Sequence, residues 1–201
     1  MTGMADFTHI KPGFADPVHQ AQACFRTILD AMAHPGRIVM VPPPAGLAVG
    51  PLGAAACAVA LTLCDFDTPV WFDAAAQPAA PYVTFHCGAP LTAEPAAARF
   101  GFAGEPAALP ALHTFALGTD EYPERSTTLL IEVAGLRLGN GGVRIAGPGI
   151  VDTAGIVIDG LPARFWTDRA ALAELFPRGV DVLFASGKRL AALPRSTRVQ
   201  F

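Results

Sequence analysis

The stretch GFADPVHQAQACFRTILDAMAHPG, Gly13–Gly36, decides how the fold begins. Asp16 stands where a helix needs an N-cap, since its carboxylate can accept from first-turn amides that lack a partner. Pro17 follows at the first helical position, where its missing N–H costs nothing. Val18, Ala21, Phe25, Ile28, Leu29 and Met32 recur at three- and four-residue steps, so they share one face. The spacing predicts a helix that buries this face, with Phe25, Ile28 and Leu29 contributing roughly 1.5–3 kcal/mol each before entropy is subtracted. Gln20, Thr27 and Asp30 fall largely off it, and Pro35-Gly36 stops the helix.

Downstream, helical and extended patterns interleave. Arg37–Val41 reads as a short apolar strand, and Pro51–Leu63 as an alanine-rich buried helix with Pro51 in its first turn. Strands are expected at Thr68–Phe72, Tyr82–Cys87, Ala97–Ala103 and Ser126–Val133, with a helical turn or two at Pro106–His113. Leu136–Ala146 reads as a hairpin around Asn140-Gly141, a strong turn dipeptide. Thr153–Ile158 fits an extended or a helical piece. Thr167–Leu175 fits a helix capped by Thr167, with Asp168 near the positive end of its dipole. Val180–Ala185 and Arg189–Leu193 pair around Ser186-Gly187-Lys188. This alternation predicts an α/β fold with a mixed sheet. With 201 residues, no internal repeat and no long linker, one domain over 13–201 is expected after a flexible N-terminal segment, residues 1–12.

Composition excludes several classes. Lys+Arg is 14 and Asp+Glu 17, so the net charge of −3 does not suit a polyanion binder such as a nucleic-acid-binding protein. The four cysteines, Cys24, Cys57, Cys64 and Cys87, form no CxxC pair and suit neither a zinc site nor an iron–sulfur cluster. No basic-then-apolar leader opens the chain, and Leu52–Leu63 is too short to span a bilayer. A cytoplasmic protein with reduced thiols follows as the expectation. Only 15% of residues are charged against 52% hydrophobic, which points either to surface buried in an oligomer or complex, or to alanine inflating the hydrophobic count.

Candidate chemistry is sparse. Gly147-Pro148-Gly149-Ile150 lacks the spacing of the nucleotide-binding glycine loops, so it reads as a structural turn whose amides could still form a small anion nest. Lys188 lies in a turn and reads as solvent-facing charge rather than as a Schiff-base lysine. His86 and Cys87 are neighbours, yet a Cys–His pair needs a proximity that sequence does not show. Pro194-Arg195-Ser196-Thr197-Arg198 packs two guanidinium groups and two hydroxyls into five residues. Such a set can bind phosphate, and it can equally dock on a partner. No complete catalytic constellation and no metal-ligand spacing emerges.

The blocks Gly13–Val39, Leu61–Asp73 (LTLCDFDTPVWFD), Phe85–Leu91 (FHCGAPL), Thr127–Val133 (TTLLIEV), Ile145–Ile150 (IAGPGI) and Phe176–Val199 (FPRGVDVLFASGKRLAALPRSTRV) together resemble the PhnH family, whose members are subunits of the carbon–phosphorus lyase complex. They run in the family's order over nearly the whole chain. The chain departs from the pattern at Arg178 and Ser196, and it shows no match over Ala74–Pro81 and Glu94–Pro123. The resemblance implies an α/β/α sandwich like that of pyridoxal-phosphate-dependent transferases, without the cofactor. It implies a role in organophosphonate breakdown, within a core complex with subunits G, I and J that joins a phosphonate to the ribose of ATP with loss of adenine. It also implies homodimers when the subunit is isolated.

An auxiliary, non-catalytic subunit is therefore the leading expectation. The alternative is a substrate- or nucleotide-binding component using Arg195, Ser196, Thr197, Gly147 and Gly149. An independent pyridoxal-phosphate enzyme built on Lys188 is a distant third. Gln22 and Arg26, one turn apart, have no local structural job and are expected to face a dimer mate or another subunit.

Overall fold

A computed structural model describes residues 10–46 and 48–200, with only the backbone of Asn140. Helix α1 (Pro17–Ala33) is punctuated as its sequence predicts. The Asp16 carboxylate accepts from the His19 amide at 3.2 Å, and the Gln20 side chain in turn accepts from the Asp16 amide at 2.9 Å. The buried face is not the expected one, however. Cys24, Ile28 and Ala31 are buried, whereas Val18, Phe25 and Leu29 are 76%, 51% and 55% exposed. The apolar stripe of the sequence is wider than the contact α1 makes, and the small side chains Cys24 and Ala31 are the ones that allow close packing.

The main sheet has six strands: β1 (Ile38–Met40), β2 (Val70–Phe72), β3 (Phe100–Ala103), β4 (Thr128–Glu132), β7 (Asp181–Ser186) and β8 (Arg189–Leu193). Their spatial order is β1-β8-β7-β4-β3-β2. Strands β2, β3, β4 and β7 are mutually parallel, and β8 runs antiparallel to both β7 and β1, so the sheet is mixed. One face, with Phe72, Phe102, Leu130 and Leu183, packs against α1, α2 (Ala54–Leu63) and α3 (Ala80–Cys87). Helix α2 is buried all round, as an alanine-rich helix without a polar face must be. The other face, with Leu129, Ile131, Val182 and Phe184, is covered by α4 (Ala163–Ala173), by short 3₁₀ turns and by a second sheet. That second sheet holds β5 (Gly135–Ala146), β6 (Ala154–Asp159) and β9 (Arg198–Gln200), in the order β6-β5-β9.

Four expectations need correction. Tyr82–Cys87 is helical, part of α3: Pro81 sits in its first turn and Gly88 ends it at φ 68°, so punctuation outweighs the strand preference of Val83 and Phe85. Pro51 precedes α2, whose N-cap is Gly53. Helix α4 begins at Ala163 after Pro162, which places Thr167 inside it rather than at its cap. Leu136–Ala146 is one long strand and not a hairpin: both arms pair with β6, and Leu138 and Val143 both stand opposite Ile156. The residues between are extruded as a wide irregularity, because Leu136 and Ile145 each gain burial on the core side by keeping to the same partner strand. Of the expected flexible segment, residues 1–9 lie outside the described residues. Lys11 and Pro12 are held: the Lys11 ammonium donates to Ala48 O at 2.6 Å, and Pro12 O accepts from the Gly46 amide at 3.1 Å.

Candidate functional site

Strand β8 ends at Leu193 and β9 begins at Arg198, so Pro194–Thr197 is the corner where the chain leaves one sheet for the other. Beneath that corner lies Arg169. It sits on α4 with Phe165 and Leu172, at helical spacing on the buried face, and is itself only 1% exposed. Its guanidinium donates to Val180 O at 3.1 Å, to Thr197 O at 3.2 Å and to Pro194 O. Burial lowers its pKa to about 10, so the group still carries its charge at neutral pH. The sequence carried a signal for this residue, a charge at an apolar position of a helical period, which the expected helix start at Thr167 obscured.

Arg195 is likewise engaged. Its guanidinium forks onto Asp181, with Nε at 3.2 and 3.1 Å from the two carboxylate oxygens and Nη2 on the second, and Nη1 donates to Pro123 O. The Arg195 amide also donates to Asp181 at 2.7 Å. Both side chains are largely buried, at 17% and 13% exposure, which makes this pair a clamp on the corner.

Above the corner opens a cleft of about 380 Å³. It is lined by Ala146, Gly147 and Pro148 from the end of β5, by Ala173 and Phe176 at and just past the end of α4, and by Arg195, Ser196, Arg198 and Gln200 from the corner and β9. The structure thus brings Gly147, Arg195 and Ser196 to one cavity. Gly147 has to be glycine there: at φ 146°, a Cβ would stand 2.9 Å from Ser196 O. Thr197 and Gly149 are not among the lining residues. Thr197 is fully buried under the corner, with its hydroxyl unpaired. Gly149, at φ 81°, packs so tightly on the end of α1 that a Cβ would meet Ala33 O at 2.0 Å. Gln22 and Arg26 are both exposed on α1, far along the chain from the cleft, beside the exposed Val18, Phe25 and Leu29.

Other titratable groups have structural surroundings. His86 contacts Lys11 O at 3.0 Å, and the Cys87 thiol donates to Ala60 O at 3.5 Å, so the two do not pair. Burial pushes the Cys57 thiol up to about 12 and Cys87 to about 11, which disfavours the reactive thiolate. Lys188 is an exposed hairpin residue. Glu132, at the end of β4, accepts from the Gly53 amide at 2.5 Å and so caps α2 from a distance; burial raises its pKa to about 7 against the lowering effect of that bond. Among the described residues, no group of three or more His, Cys, Asp or Glu could hold a metal ion, and no helix is long and apolar enough to cross a membrane.

Comparison with known proteins bears on the chain as a whole. The family model for bacterial phosphonate metabolism protein (PhnH) matches residues 12–200. The chain is 44% identical over 193 residues to the alpha-D-ribose 1-methylphosphonate 5-triphosphate synthase subunit PhnH of Rhizobium meliloti (strain 1021), covering 93% of this chain and 94% of that protein. It is 36% identical over 84 residues to the putative C-P lyase subunit protein HtxG of Stutzerimonas stutzeri, covering 41% of this chain and 42% of that protein.

Proposed function

The chain belongs to the PhnH family of bacterial phosphonate metabolism proteins, and from that premise we propose that it is a subunit of a carbon–phosphorus lyase assembly. Its role there is auxiliary: it supports transfer of a phosphonate to the ribose C1 of ATP with loss of adenine, as one part of a cytoplasmic complex with subunits G, I and J. The observation that carries this reading is the end-to-end match at 44% identity to a protein named as a synthase subunit.

The exposed side of α1 supports a docking role. Val18, Phe25 and Leu29 expose apolar surface next to Gln22 and Arg26, and such surface marks interfaces. On this reading 13–201 acts as one unit, is a homodimer when alone, and uses this helix face against the mate or another subunit. The same reading takes the sheet layers as those of the pyridoxal-phosphate-dependent transferases without their cofactor chemistry; pyridoxal phosphate added to the pure protein then yields no Schiff-base absorbance. The principal test is co-expression of a tagged chain with subunits G, I and J. Co-purification is expected, and it weakens in a Phe25→Ser, Arg26→Glu double variant; a chain that stays alone beside all three ends the reading.

A second reading, in which this subunit itself binds substrate or nucleotide, is favoured by the cleft that gathers Gly147, Arg195 and Ser196. Thr197, buried under the corner, and Gly149, packed on the end of α1, then act from outside its lining.

A further inference from the structure

We propose that the turn after α2, the end of α3 and the segment that leaves it form an acidic, apolar docking face for an amphipathic, lysine- or arginine-rich segment of another protein. The inference goes beyond the assembly reading and does not depend on it.

Three large apolar side chains face solvent here: Phe66, Phe85 and Leu91, at 73%, 52% and 50% exposure. One turn gathers them. Phe85 lies in the last turn of α3, which Gly88 ends, and a Cβ on Gly88 would stand 3.7 Å from the Phe66 Cβ. Leu91 follows three residues later and bridges to Val70: the Val70 amide donates to Pro90 O at 2.8 Å, and the Thr92 amide to Val70 O at 3.0 Å. Leu91 therefore runs along the outer edge of β2, the last strand of the main sheet. The turn that carries Phe66 is fixed as well, since the Asp65 carboxylate accepts from the Thr68 hydroxyl at 2.7 Å and from the Asp67 amide at 3.0 Å. Apolar anchors already held in place lose little freedom on binding, which favours affinity.

Charge selects the partner. The chain has 14 lysines and arginines, yet none falls between Ile38 and Ala98. Around the three apolar side chains stand Asp65, Asp67 and Glu94, all exposed. Asp67 and Glu94 take part in no ion pair among the described residues. Arg99, at the start of β3, sets one cation against these three carboxylates, and Lys11, beside His86, turns its ammonium to Ala48 O. An apolar centre with a negative rim fits a segment that carries apolar anchors between cations, as a basic amphipathic helix does. The same rim is repelled by anionic lipid, which argues against a membrane. Within this chain the exposed Phe25, Arg26 and Leu29 of α1 have the fitting chemistry. Joining α1 of one copy to this face of the next is a head-to-tail contact, however, which grows into filaments unless the rotation closes a ring. Another protein is therefore the occupant.

Fluorescence anisotropy tests this with labelled peptides titrated by the full chain. One is a helix former with leucine on one face and lysine on the other; two controls replace its lysines by glutamate or its leucines by serine. The leucine–lysine peptide is expected to bind, more weakly as salt is raised, and both controls to bind at least several-fold more weakly. Asp67→Lys with Glu94→Lys should weaken binding roughly tenfold or more, because like charges then face each other. Phe66→Ser with Leu91→Ser should weaken it by a similar factor through lost apolar contact, whereas Phe25→Ser with Arg26→Glu on α1 leaves it unchanged. Circular dichroism checks that each variant is folded. No binding of the leucine–lysine peptide, binding that neither pair of substitutions on the face weakens, or equal binding of the glutamate peptide overturns the inference. Self-association in sedimentation that is lost both in Phe66→Ser with Leu91→Ser and in Phe25→Ser with Arg26→Glu makes a second copy the occupant and overturns the assignment to another protein. Capture of the chain by vesicles of anionic lipid, lost in Phe66→Ser with Leu91→Ser, overturns it in favour of a membrane. A chain that binds the peptide at this face yet stays alone beside subunits G, I and J ends the assembly reading and leaves this inference standing.

Discussion

The six-stranded sheet and the Pro194–Thr197 corner are neighbours held by opposite physics. In the sheet, Phe72 and Phe102 stack at 5.2 Å, and Leu130 and Leu183 continue a face that buries apolar surface and little else. At the corner, a buried guanidinium collects three carbonyls and an ion pair clamps the next residue. The first arrangement is non-directional and tolerates substitution that conserves volume. The second is directional, and losing one partner strands the others. It places charge and donors at a surface, which an apolar core does not offer.

Substitutions can break or sharpen this contrast. Phe102→Ala should have the largest effect, about 3–5 kcal/mol of global stability, read as a lowered urea midpoint seen alike by fluorescence and circular dichroism. Arg169→Met keeps much of the side-chain volume and removes the donors together with the charge. It should cost about 2–4 kcal/mol through the carbonyls left unpaired, with proteolytic nicking appearing first at Pro194–Thr197. A midpoint equal to wild type would mean that the guanidinium does not hold the corner. Glu132 tests a polar contact inside the apolar layer. Its folded pKa of about 7 lies above the unfolded value near 4.5, so the folded state keeps the proton longer. Stability from this group is full below about pH 4.5 and declines as pH rises to 7, by on the order of 3 kcal/mol. Glu132→Gln, which can still accept from Gly53, should flatten that part of the stability–pH curve. The smallest effect is expected at Phe25→Ser on the exposed side of α1, within about 0.5 kcal/mol for the isolated chain. A loss as large as that of Ile28→Ala, about 2–4 kcal/mol, would show that the two sides of α1 are not distinct.

The same contrast explains what the sequence disclosed. Strands β4, β7 and β8 are legible because β-branched and apolar runs bounded by turns leave few alternatives. The caps of α1 are legible because Asp16, Pro17 and Gly36 act within a few residues of themselves. Which side of α1 is buried is not, since that depends on where α2 lies. The Asn140-Gly141 signal misleads because pairing with β6 decides the path of β5, and no local rule reports a partner strand. Among the site residues, Arg195, Ser196 and Gly147 could be named from their types, but their meeting depends on a corner between two sheets. Arg169 and Asp181, which hold that corner, are visible only once the sheets are in place.

Helix α2 has a consequence for how the protein reaches its structure. Gly53 offers no side-chain cap, and the first amides of the helix go instead to Glu132, 79 residues away, and to the carbonyl of Gly187 at the tip of the β7–β8 hairpin. A ten-residue helix has little stability of its own in water, and this one waits for partners from the second half of the chain. Helix α2 is therefore expected to form after the folding barrier, with φ-values near zero for Ala→Gly substitutions along it. Such substitutions should quicken unfolding while leaving the refolding rate almost untouched.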